Sequence, residues 1–404
     1  MNETNKRKFP SWPQFGEEEK AALMDVYDQN RLAFSNAKDW QTKGTARISL
    51  EEEFARFHDC KFGIAVTSGT AALMVALRAV GVEKGDEVIV QSYMCIADTE
   101  AIIQAGAVPV FCDIDPANCG LNLESVEACI TAKTKAIIAI HFGGYMIDMD
   151  RLSAIAEKHN VKIVEDASLA TGSVWNGRKV GSSSLITIFS FGTDKLLTVG
   201  EGGIVITNDA ALADKCQSLR NSGNYARIDD SLAENRALAE FTDIEQIGWN
   251  FRMPEAPAAL GLVGLHKLPL QIQKRHENGR YLDQKLSAIE GLQPLVCSES
   301  QTLQSQGLYI FKINEKLFGC DKESFIKRMN AEGIPALYGY HNPIYKYSVF
   351  RKENAYKHIF HKYAEAACSQ CVWFSHSILL GSKDDMDAIA AAARKIKCEI
   401  GGCK

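Results

Sequence analysis

ITIFSFGTDKLLTVGEGGIVIT, residues 186–207, places a single lysine on a glycine-rich turn between two short apolar runs. The runs 186–189 and 204–207 are rich in β-branched residues and bounded by turn residues, so each predicts a buried strand. Glycines in the turn allow a positive φ or the close approach of a ligand to the backbone. Lys195 is therefore expected at the end of a strand, inside a hydrophobic frame.

The environment of Lys195 has two interpretations. Desolvation in a hydrophobic frame lowers the pKa of a lysine amine, and a nucleophile directed at an aldehyde needs such an amine. A lysine on a strand-end loop is equally consistent with an ordinary solvated side chain. The residues in the rest of the chain decide between these interpretations.

Composition restricts the classes of protein and partner. A length of 404 residues suits a large domain plus a smaller one, and 46% hydrophobic with 24% charged residues is typical of a soluble globular protein. A net charge of -5 gives no electrostatic case for binding nucleic acid or an anionic membrane. The polar start of the chain lacks the apolar segment of a signal peptide. We therefore expect a cytoplasmic protein that acts on small molecules, without a nucleic-acid or membrane partner.

The twelve cysteines do not form a recognisable metal-binding or disulfide pattern. They are scattered singly along the chain, and the one close pair is CSQC at 368–371. A zinc site would need a second such pair or a nearby pair of histidines. We expect no metal site and reduced thiols, as in a cytosolic enzyme.

Strand-like and helix-like segments alternate through the first half of the chain. The apolar strand-like runs lie at 63–67, 87–91, 108–113, 136–141 and 162–166. Helical patterns separate them, among them the alanine-rich stretch that follows Ser68-Gly69-Thr70. This alternation indicates stacked βαβ units, and therefore a mostly parallel sheet with helices on both faces.

Ligands of such a sheet bind beyond the carboxyl ends of its strands. The polar residues expected there are Ser68, Gly69, Thr70, residues 92–95, His141, Glu165, Asp166, Ser190 and Lys195. At the turn 68–70, free amides and the positive end of the helix dipole form a plausible anion cradle. Simple N-capping of the helix by a hydroxyl side chain explains the same residues.

Asp166 ends the strand KIVED, where an ionised carboxylate needs a cation or hydrogen-bond donors to offset desolvation. It could be a helix N-cap. A protonated pyridine nitrogen would equally provide the cation. Together, Lys195 and Asp166 are what a pyridoxal-phosphate site requires: an amine that forms a Schiff base, and a carboxylate that keeps the ring nitrogen protonated.

A change of composition near residue 255 predicts the domain boundary. Residues 1–254 would form a large cofactor-binding domain with an N-terminal helical segment, and 255–404 a small C-terminal domain. Pro254 and Pro257 precede a helical pattern that continues to about residue 287. A strand-like run at 307–313 and helical patterns at 322–332 and 384–397 indicate that the small domain is also α/β.

Six blocks of the sequence resemble, in letters, order and spacing, the DegT/DnrJ/EryC1/StrS family of sugar aminotransferases, which are fold-type I pyridoxal-phosphate enzymes. The blocks are SGTAAL at 68–73, GDEVIV at 85–90, AGAVPVFCDID at 105–115, EDASLATG at 165–172, FSFGTDKLLTVGEGG at 189–203 and GWNFRM at 248–253. The resemblance extends over nearly the whole chain. It implies an α/β fold with a mostly parallel central sheet in the large domain, and pyridoxal 5'-phosphate as the cofactor.

The resemblance also implies roles for particular residues. Lys195 would carry the cofactor as an aldimine and move the proton between substrate and cofactor, and Asp166 would pair with the pyridinium nitrogen. Gly69, Thr70 and Ser190 would hold the phosphate. Each role agrees with the position of the residue at the end of a predicted strand.

Asn250 is similar to the family asparagine that reaches the phosphate bound by the neighbouring subunit. The resemblance therefore implies a homodimer with two composite active sites. Without the resemblance, Asn250 would be interpreted as a loop residue.

The sequence departs from the family pattern at three positions near the expected cofactor. Cys95 stands where many members have an aromatic residue that stacks on the cofactor ring, and a thiol packs more weakly against a ring than an aromatic face does. Leu169 stands where glutamine or histidine is common. Gly192 stands where many members have histidine or an aromatic residue. Lys195 is retained, whereas the dehydratase branch of the family has histidine there, so the resemblance favours transamination.

The implied reaction is a ping-pong transfer of an amino group from glutamate or glutamine to a keto-sugar, which in this family is most often nucleotide-linked. The segments FPSWPQF, KLLTVGEGG and CVWFSHSILL are closest to a subgroup that includes 3-amino-5-hydroxybenzoate synthases and some keto-sugar and cyclitol aminotransferases. An aromatising or dehydrating enzyme of the synthase type, or a cyclitol aminotransferase, is one alternative. A non-catalytic regulator that binds pyridoxal phosphate is another, motivated by the three departures.

Five polar or aromatic residues of the C-terminal part are candidates for contact with the substrate. They would suit a hydroxylated ring, but they are equally consistent with surface or inter-domain packing. The five are Tyr338, Tyr340, His341, Tyr345 and His376.

Overall fold

The computed structural model describes residues 7–30, 45–223, 244 and 246–402. Its centre is a seven-stranded sheet. The strands are β1 Phe62–Val66, β2 Glu87–Gln91, β3 Val108–Cys112, β4 Thr134–Ile140, β5 Lys162–Asp166, β8 Thr187–Ser190 and β9 Gly203–Thr207. Two short strands, β6 Val174–Trp175 and β7 Arg178–Lys179, lie between β5 and β8 in sequence.

The central sheet has the order β1-β9-β8-β5-β4-β2-β3 and is mostly parallel. The pairs β2–β3, β2–β4, β4–β5 and β5–β8 are parallel, whereas β9 runs antiparallel to both β8 and β1. Strand β9 reverses because the segment that joins it to β8 is a turn without a crossover helix. Four of the six strand pairs are parallel, so the prediction of a mostly parallel sheet is confirmed. The turn that carries Lys195 joins one of the two antiparallel pairs, β8–β9.

Helices pack on both faces of the central sheet. The helices of this part of the chain are α1 Glu17–Asp28, α2 Ala46–Phe57, α3 Gly69–Ala79, α4 Ile96–Gln104, α5 Leu123–Cys129, α6 Met149–His159 and α7 Ala210–Arg220, of which α1 packs on the later helix Glu255–Ser287 and not on the sheet. Because successive strand residues point to opposite faces, Ile188 packs in the core beneath α3 and α7, and Phe189 packs in the core beneath α2. The near-continuous apolar strands of the sequence reflect this burial on both faces.

The helix α8, Glu255–Ser287, connects the two hydrophobic regions of the molecule. It begins directly after Pro254, as the sequence predicts. Leu265 and Ile272 on its first half pack with the central sheet, and Leu282 and Leu286 on its last turns pack with the C-terminal sheet. The helix therefore holds the two sheets in one arrangement.

A four-stranded antiparallel sheet forms the C-terminal part. Its order is β10-β12-β14-β13, with β10 Leu292–Pro294, β12 Leu308–Ile313, β13 Ala336–Leu337 and β14 Cys371–Ser375, and β11 Gln301–Leu303 joins β6 and β7 in a separate three-stranded sheet. The helices are α9 Glu315–Phe318, α10 Lys322–Ala331, α11 Ser348–Arg351, α12 Lys362–Gln370 and α13 Lys383–Lys397. Tyr345, Phe350 and Tyr356 pack in the core of the central sheet. The boundary at 254/255 stays a prediction.

The cysteines differ from the expectation at one position. Ten cysteines of the described residues are free thiols, but Cys398 is disulfide-bonded, so the prediction of reduced thiols is wrong there. The scattered spacing of cysteines gave no signal for this bond. Within the described ranges, no group of three or more His, Cys, Asp or Glu side chains could hold a metal ion. No helix there is long and apolar enough to cross a membrane.

Candidate active site

A cavity of about 250 Å³ lies at the carboxyl ends of the parallel strands. This volume is just below the roughly 300–1,000 Å³ of sites for drug-sized ligands, so it suits one small ring with its substituents. Most of the residues predicted for the site line it. Those are Gly69, Thr70, Cys95, Asp166, Ser190 and Lys195.

Lys195 lies in the turn between β8 and β9. Its backbone N–H donates to the carbonyl of Gly192 at 3.0 Å, and the buried side chains of Leu196 and Leu197 fix the turn against the core. The Lys195 side chain is 19% exposed, and its Nζ is 3.5 Å from the carboxylate of the exposed Asp194. The amine is thus held at the cavity wall by a buried backbone and keeps access to the cavity.

Asp166 is buried at the end of β5, with 6% exposure. One carboxylate oxygen accepts the backbone N–H of Ser168 at 2.8 Å, so the side chain caps the turn that follows the strand. No lysine, arginine or histidine of the described ranges forms an ion pair with it. A buried carboxylate without a cation is unfavourable, so a positively charged group bound next to Asp166 would be stabilising.

The first turn of α3 forms the opposite wall of the cavity. The hydroxyl of Ser68 caps the helix by accepting the Ala71 N–H at 3.1 Å, as the capping interpretation predicts. A Cβ at Gly69 would lie 2.7 Å from the Cβ of Ser190, so only glycine permits this close approach. The first amides of the helix, with the hydroxyls of Thr70 and Ser190, remain for an anion in the cavity.

His141 and Glu165, two other polar residues predicted at the strand ends, do not line the cavity. His141 and Glu165 form a buried pair, with 2.7 Å between Nε2 and Oε1. Burial alone would raise the pKa of Glu165, but the hydrogen bond and charge of His141 lower it. Because side chains alternate along β5, Glu165 points away from the face on which Asp166 meets the cavity. The pair is therefore part of the core.

Several lining residues were not predicted from the sequence. Asp98, Phe142 and Glu201 also face the cavity. Asp98 lies in the first turn of α4, where an acidic residue is normally interpreted as complementing the helix dipole.

The five candidate substrate residues separate in the structure. Tyr340 lines the cavity, but His341 lines a different cavity at the surface. The ring of Tyr338 stacks on the His341 ring, with 5.8 Å between the ring centroids. Tyr345 is buried and donates its hydroxyl hydrogen bond to Glu365 at 2.8 Å. His376 is buried against the indole of Trp12 at 4.7 Å. The packing interpretation thus suits Tyr345 and His376.

Asn250 lies outside the cavity. It is exposed, and its backbone forms an antiparallel bridge to Asn221. Its assigned role requires a second chain, so that role stays a prediction. Of the three departures from the family pattern, Cys95 lies exposed at the cavity rim, and Leu169 and Gly192 line the wall.

The lining residues fit pyridoxal phosphate. The cavity brings together an amine for the aldehyde, a buried carboxylate that lacks a cation, and a helix N-terminus with hydroxyls for the phosphate. A single cofactor of this kind would satisfy all three. The roles of the individual residues remain predictions.

The sequence matches the profile of the DegT/DnrJ/EryC1/StrS aminotransferase family over residues 24–394. It is 32% identical to a 3-amino-5-hydroxybenzoate synthase of Amycolatopsis mediterranei (strain S699), over 96% of this chain and 97% of that protein. It is 33% identical to an L-glutamine:2-deoxy-scyllo-inosose aminotransferase of Micromonospora echinospora, over 96% of this chain and 94% of that protein.

Solved structures give the same result for the fold. A 3-amino-5-hydroxybenzoic acid synthase superimposes with a TM-score of 0.85 at 31% identity and covers 98% of this chain and 100% of its own. An aminotransferase from Psychrobacter cryohalolentis superimposes with a TM-score of 0.86 at 29% identity, over 97% of this chain and 100% of its own. The predicted fold-type I architecture is confirmed.

Proposed function

Since the chain belongs to the DegT/DnrJ/EryC1/StrS aminotransferase family, whose cofactor is pyridoxal 5'-phosphate, we propose that it moves an amino group from glutamate or glutamine to the ketone of a sugar or cyclitol ring. The carrying observation is that Lys195, Asp166 and the first turn of α3 meet in one cavity. The reaction is a ping-pong exchange in which donor and acceptor use this cavity in turn.

Lys195 is the amine that attaches the cofactor and then accepts and returns the substrate proton at Nζ. When bound, the cofactor supplies an electron sink for the carbon that loses the proton. Asp166 keeps the ring nitrogen protonated, because its buried carboxylate has no other cation among the described residues. Gly69, Thr70 and Ser190 hold the phosphate with backbone amides and hydroxyls.

The amino donor is testable in the first half of the reaction. Purified protein incubated with glutamate or glutamine should release the corresponding oxo acid and leave the cofactor as its amine, with loss of visible absorbance. Tight cofactor binding without either conversion would contradict the proposal and support a non-catalytic regulator.

For the acceptor, the first candidate is a nucleotide-linked keto-sugar. The second candidate is a cyclitol ketone, and it has a specific observation in its favour. Among the described residues that line the cavity, Lys195 is the sole lysine or arginine, so the phosphates of a nucleotide have no cation there. The Micromonospora echinospora relative is also named as an aminotransferase of glutamine and a cyclitol ketone.

A panel of acceptors separates these candidates. Protein loaded with the amino form of the cofactor should convert it back to the aldehyde form with one of two classes of acceptor. These classes are nucleotide-linked keto-sugars and ring ketones without phosphate. Release of an aromatic amino acid would instead identify the aromatising alternative. If neither class of acceptor converted the cofactor back to its aldehyde form, the assignment of a ring ketone as acceptor would be overturned.

We also propose a homodimer in which Asn250 reaches the phosphate held by the partner chain. Its exposed position outside the cavity supports this. Mixing inactive Lys195→Ala protein with inactive Asn250→Ala protein should restore part of the activity, because a mixed dimer has one site with neither change. Two active sites that do not share residues would give no recovery.

A further inference from the structure

A second buried carboxyl group lies beside Asp166. Asp98, in the first turn of α4, is 3% exposed and lines the same cavity as Asp166 and Lys195. Its carboxyl group is within hydrogen-bonding reach of the Asp166 carboxyl group. Two ionised carboxylates offer only acceptors, so a hydrogen bond between them requires a proton on one.

The surroundings place this proton on Asp98. Burial raises the pKa of Asp98 well above its ordinary value, and the charge of Asp166 and the hydrogen bond to it raise it further. Lys195 has a smaller, opposite effect, and Tyr340 is a further titratable group near Asp98. No N–H or O–H donor of the described residues reaches Oδ1 of Asp98, whereas Asp166 accepts the Ser168 N–H.

We propose that Asp98 is a positioning residue for Asp166: its protonated carboxyl group donates a hydrogen bond to the Asp166 carboxylate. This inference rests on the proposed function, since Asp166 acts there on the cofactor nitrogen. The bond and the Ser168 N–H together fix the direction of the carboxylate. The bond also takes up part of the negative charge of the Asp166 carboxylate, so the carboxylate attracts the ring N–H more weakly. The proton on the ring nitrogen is then held less tightly.

Two variants distinguish an effect of the hydrogen bond that Asp98 donates from effects of its charge and of its packing. Asp98→Asn keeps a neutral donor of the same shape, and Asp98→Ala removes the donor. The measurement is the nitrogen-15 chemical shift of ring-labelled pyridoxal phosphate bound to each protein, followed with pH. We expect Asp98→Asn to match the wild type, and Asp98→Ala to shift the titration of the ring nitrogen by about one pH unit, the effect of one hydrogen bond to a charged group.

Two results would overturn the proposal. An unchanged ring-nitrogen titration in Asp98→Ala would show that the Asp98 side chain does not act on Asp166. Equal shifts in Asp98→Asn and Asp98→Ala would show that Asp98 acts through a negative charge. In either case Asp98 would not be a neutral donor.

A measurement on the cofactor-free protein keeps this test independent of the proposed function. An acid whose pKa is raised on folding holds its proton more tightly in the folded state. The folded protein therefore loses stability as pH rises above the ordinary titration range of that acid. The melting temperature of the wild type should therefore fall relative to Asp98→Asn as pH rises above the ordinary titration range of an aspartate. Parallel curves would overturn the proton on Asp98, even if pyridoxal phosphate failed to bind at all.

Discussion

Glu51 and Asp166 are both buried carboxylates of the large sheet region, but their surroundings are opposite. Glu51, on α2, accepts hydrogen bonds from Arg47 at 2.6 Å, from the Ala65 N–H at 2.9 Å and from Arg220. Asp166 accepts one backbone N–H, and its other neighbour is a second acid, Asp98. One site is neutralised within the chain, and the other is not.

The difference separates a structural carboxylate from one reserved for a ligand. Burial alone would raise the pKa of Glu51, but the charges of Arg220 and Arg47 outweigh it and lower that pKa. This cluster ties α2 and α7 to the edge strand β1, where Arg220 also donates to the carbonyl of Ala65 at 2.8 Å. At Asp166 the proposed cofactor would supply the missing cation.

The largest expected effect is the loss of stability in Glu51→Gln. Removing the carboxylate leaves the buried charge of Arg220 without its counter-ion, and breaking such a pair lowers the free energy of unfolding by about 3–5 kcal/mol. Because the pKa of Glu51 is lowered on folding, the stabilisation is present above its ordinary value and is lost as pH falls. Urea unfolding at neutral and acidic pH measures both.

Glu52→Gln is the matched control, since Glu52 is the exposed neighbour on the same helix. It should change the free energy of unfolding by less than about 0.5 kcal/mol. If both variants lost the same stability, the buried pair would not be the cause.

Asp166→Asn should have the reverse profile. An amide cannot hold the proton on the cofactor nitrogen, so the transamination rate should fall about 10²–10³-fold. The cofactor-free protein should be as stable as the wild type or more stable, because a buried carboxylate without a cation has been removed. Half-reaction rates and urea unfolding test the two parts. Unfolding comparable to Glu51→Gln, with activity per folded molecule retained, would make Asp166 structural.

Asp283 is an intermediate case. It accepts the hydroxyl hydrogen bond of Tyr309 at 2.8 Å, and burial raises its pKa to about 6. A carboxyl whose pKa is raised on folding destabilises the protein as pH rises from its ordinary value to about 6. Asp283→Asn should therefore stabilise the protein by about 1–2 kcal/mol at neutral pH and by nothing below about pH 4. Thermal unfolding against pH measures this, and a gain that does not vary with pH would contradict it.

The smallest expected effect concerns the cavity rim. Cys95→Tyr restores an aromatic face at an exposed position beside the cofactor site, where there is room for a larger side chain. Ring stacking is worth about 0.5–1.5 kcal/mol, so the dissociation constant of pyridoxal phosphate should fall about 2–10-fold. Titration of cofactor-free protein measures it. Cys95→Ser is the control without an aromatic face, and equal affinities would show that position 95 does not contact the ring.

The sequence predicted the fold well because its strands are short apolar runs separated by helical patterns. The bounds of β2 and β5 agree with the expected segments, and the order of the elements follows from the alternation. The antiparallel direction of β9 was not predicted, since the two apolar runs flanking Lys195 would look the same in either direction.

The candidate site was predicted in part. Lys195, Asp166 and Gly69 follow strands, and the strand-end rule brings such residues together. Asp98 was missed because it lies in the first turn of a helix, and its approach to the strand ends depends on tertiary packing. Tyr340 was predicted as one of five candidates for contact with the substrate, and it alone of the five lines this cavity. The rule also selected Glu165, which the alternation of side chains along β5 turns into the core. The Glu51–Arg220 pair joins residues far apart in sequence and had no signal.

The central claim is that Lys195 is the amine that carries pyridoxal phosphate. Hydride reduction of the loaded protein, followed by digestion and mass spectrometry, tests it most directly. If Lys195 carries the cofactor, the reduced cofactor will be found on the peptide that contains Lys195, and Lys195→Arg protein will give no labelled peptide. A label on another lysine, or a reducible adduct and turnover that persist in Lys195→Arg, would contradict it.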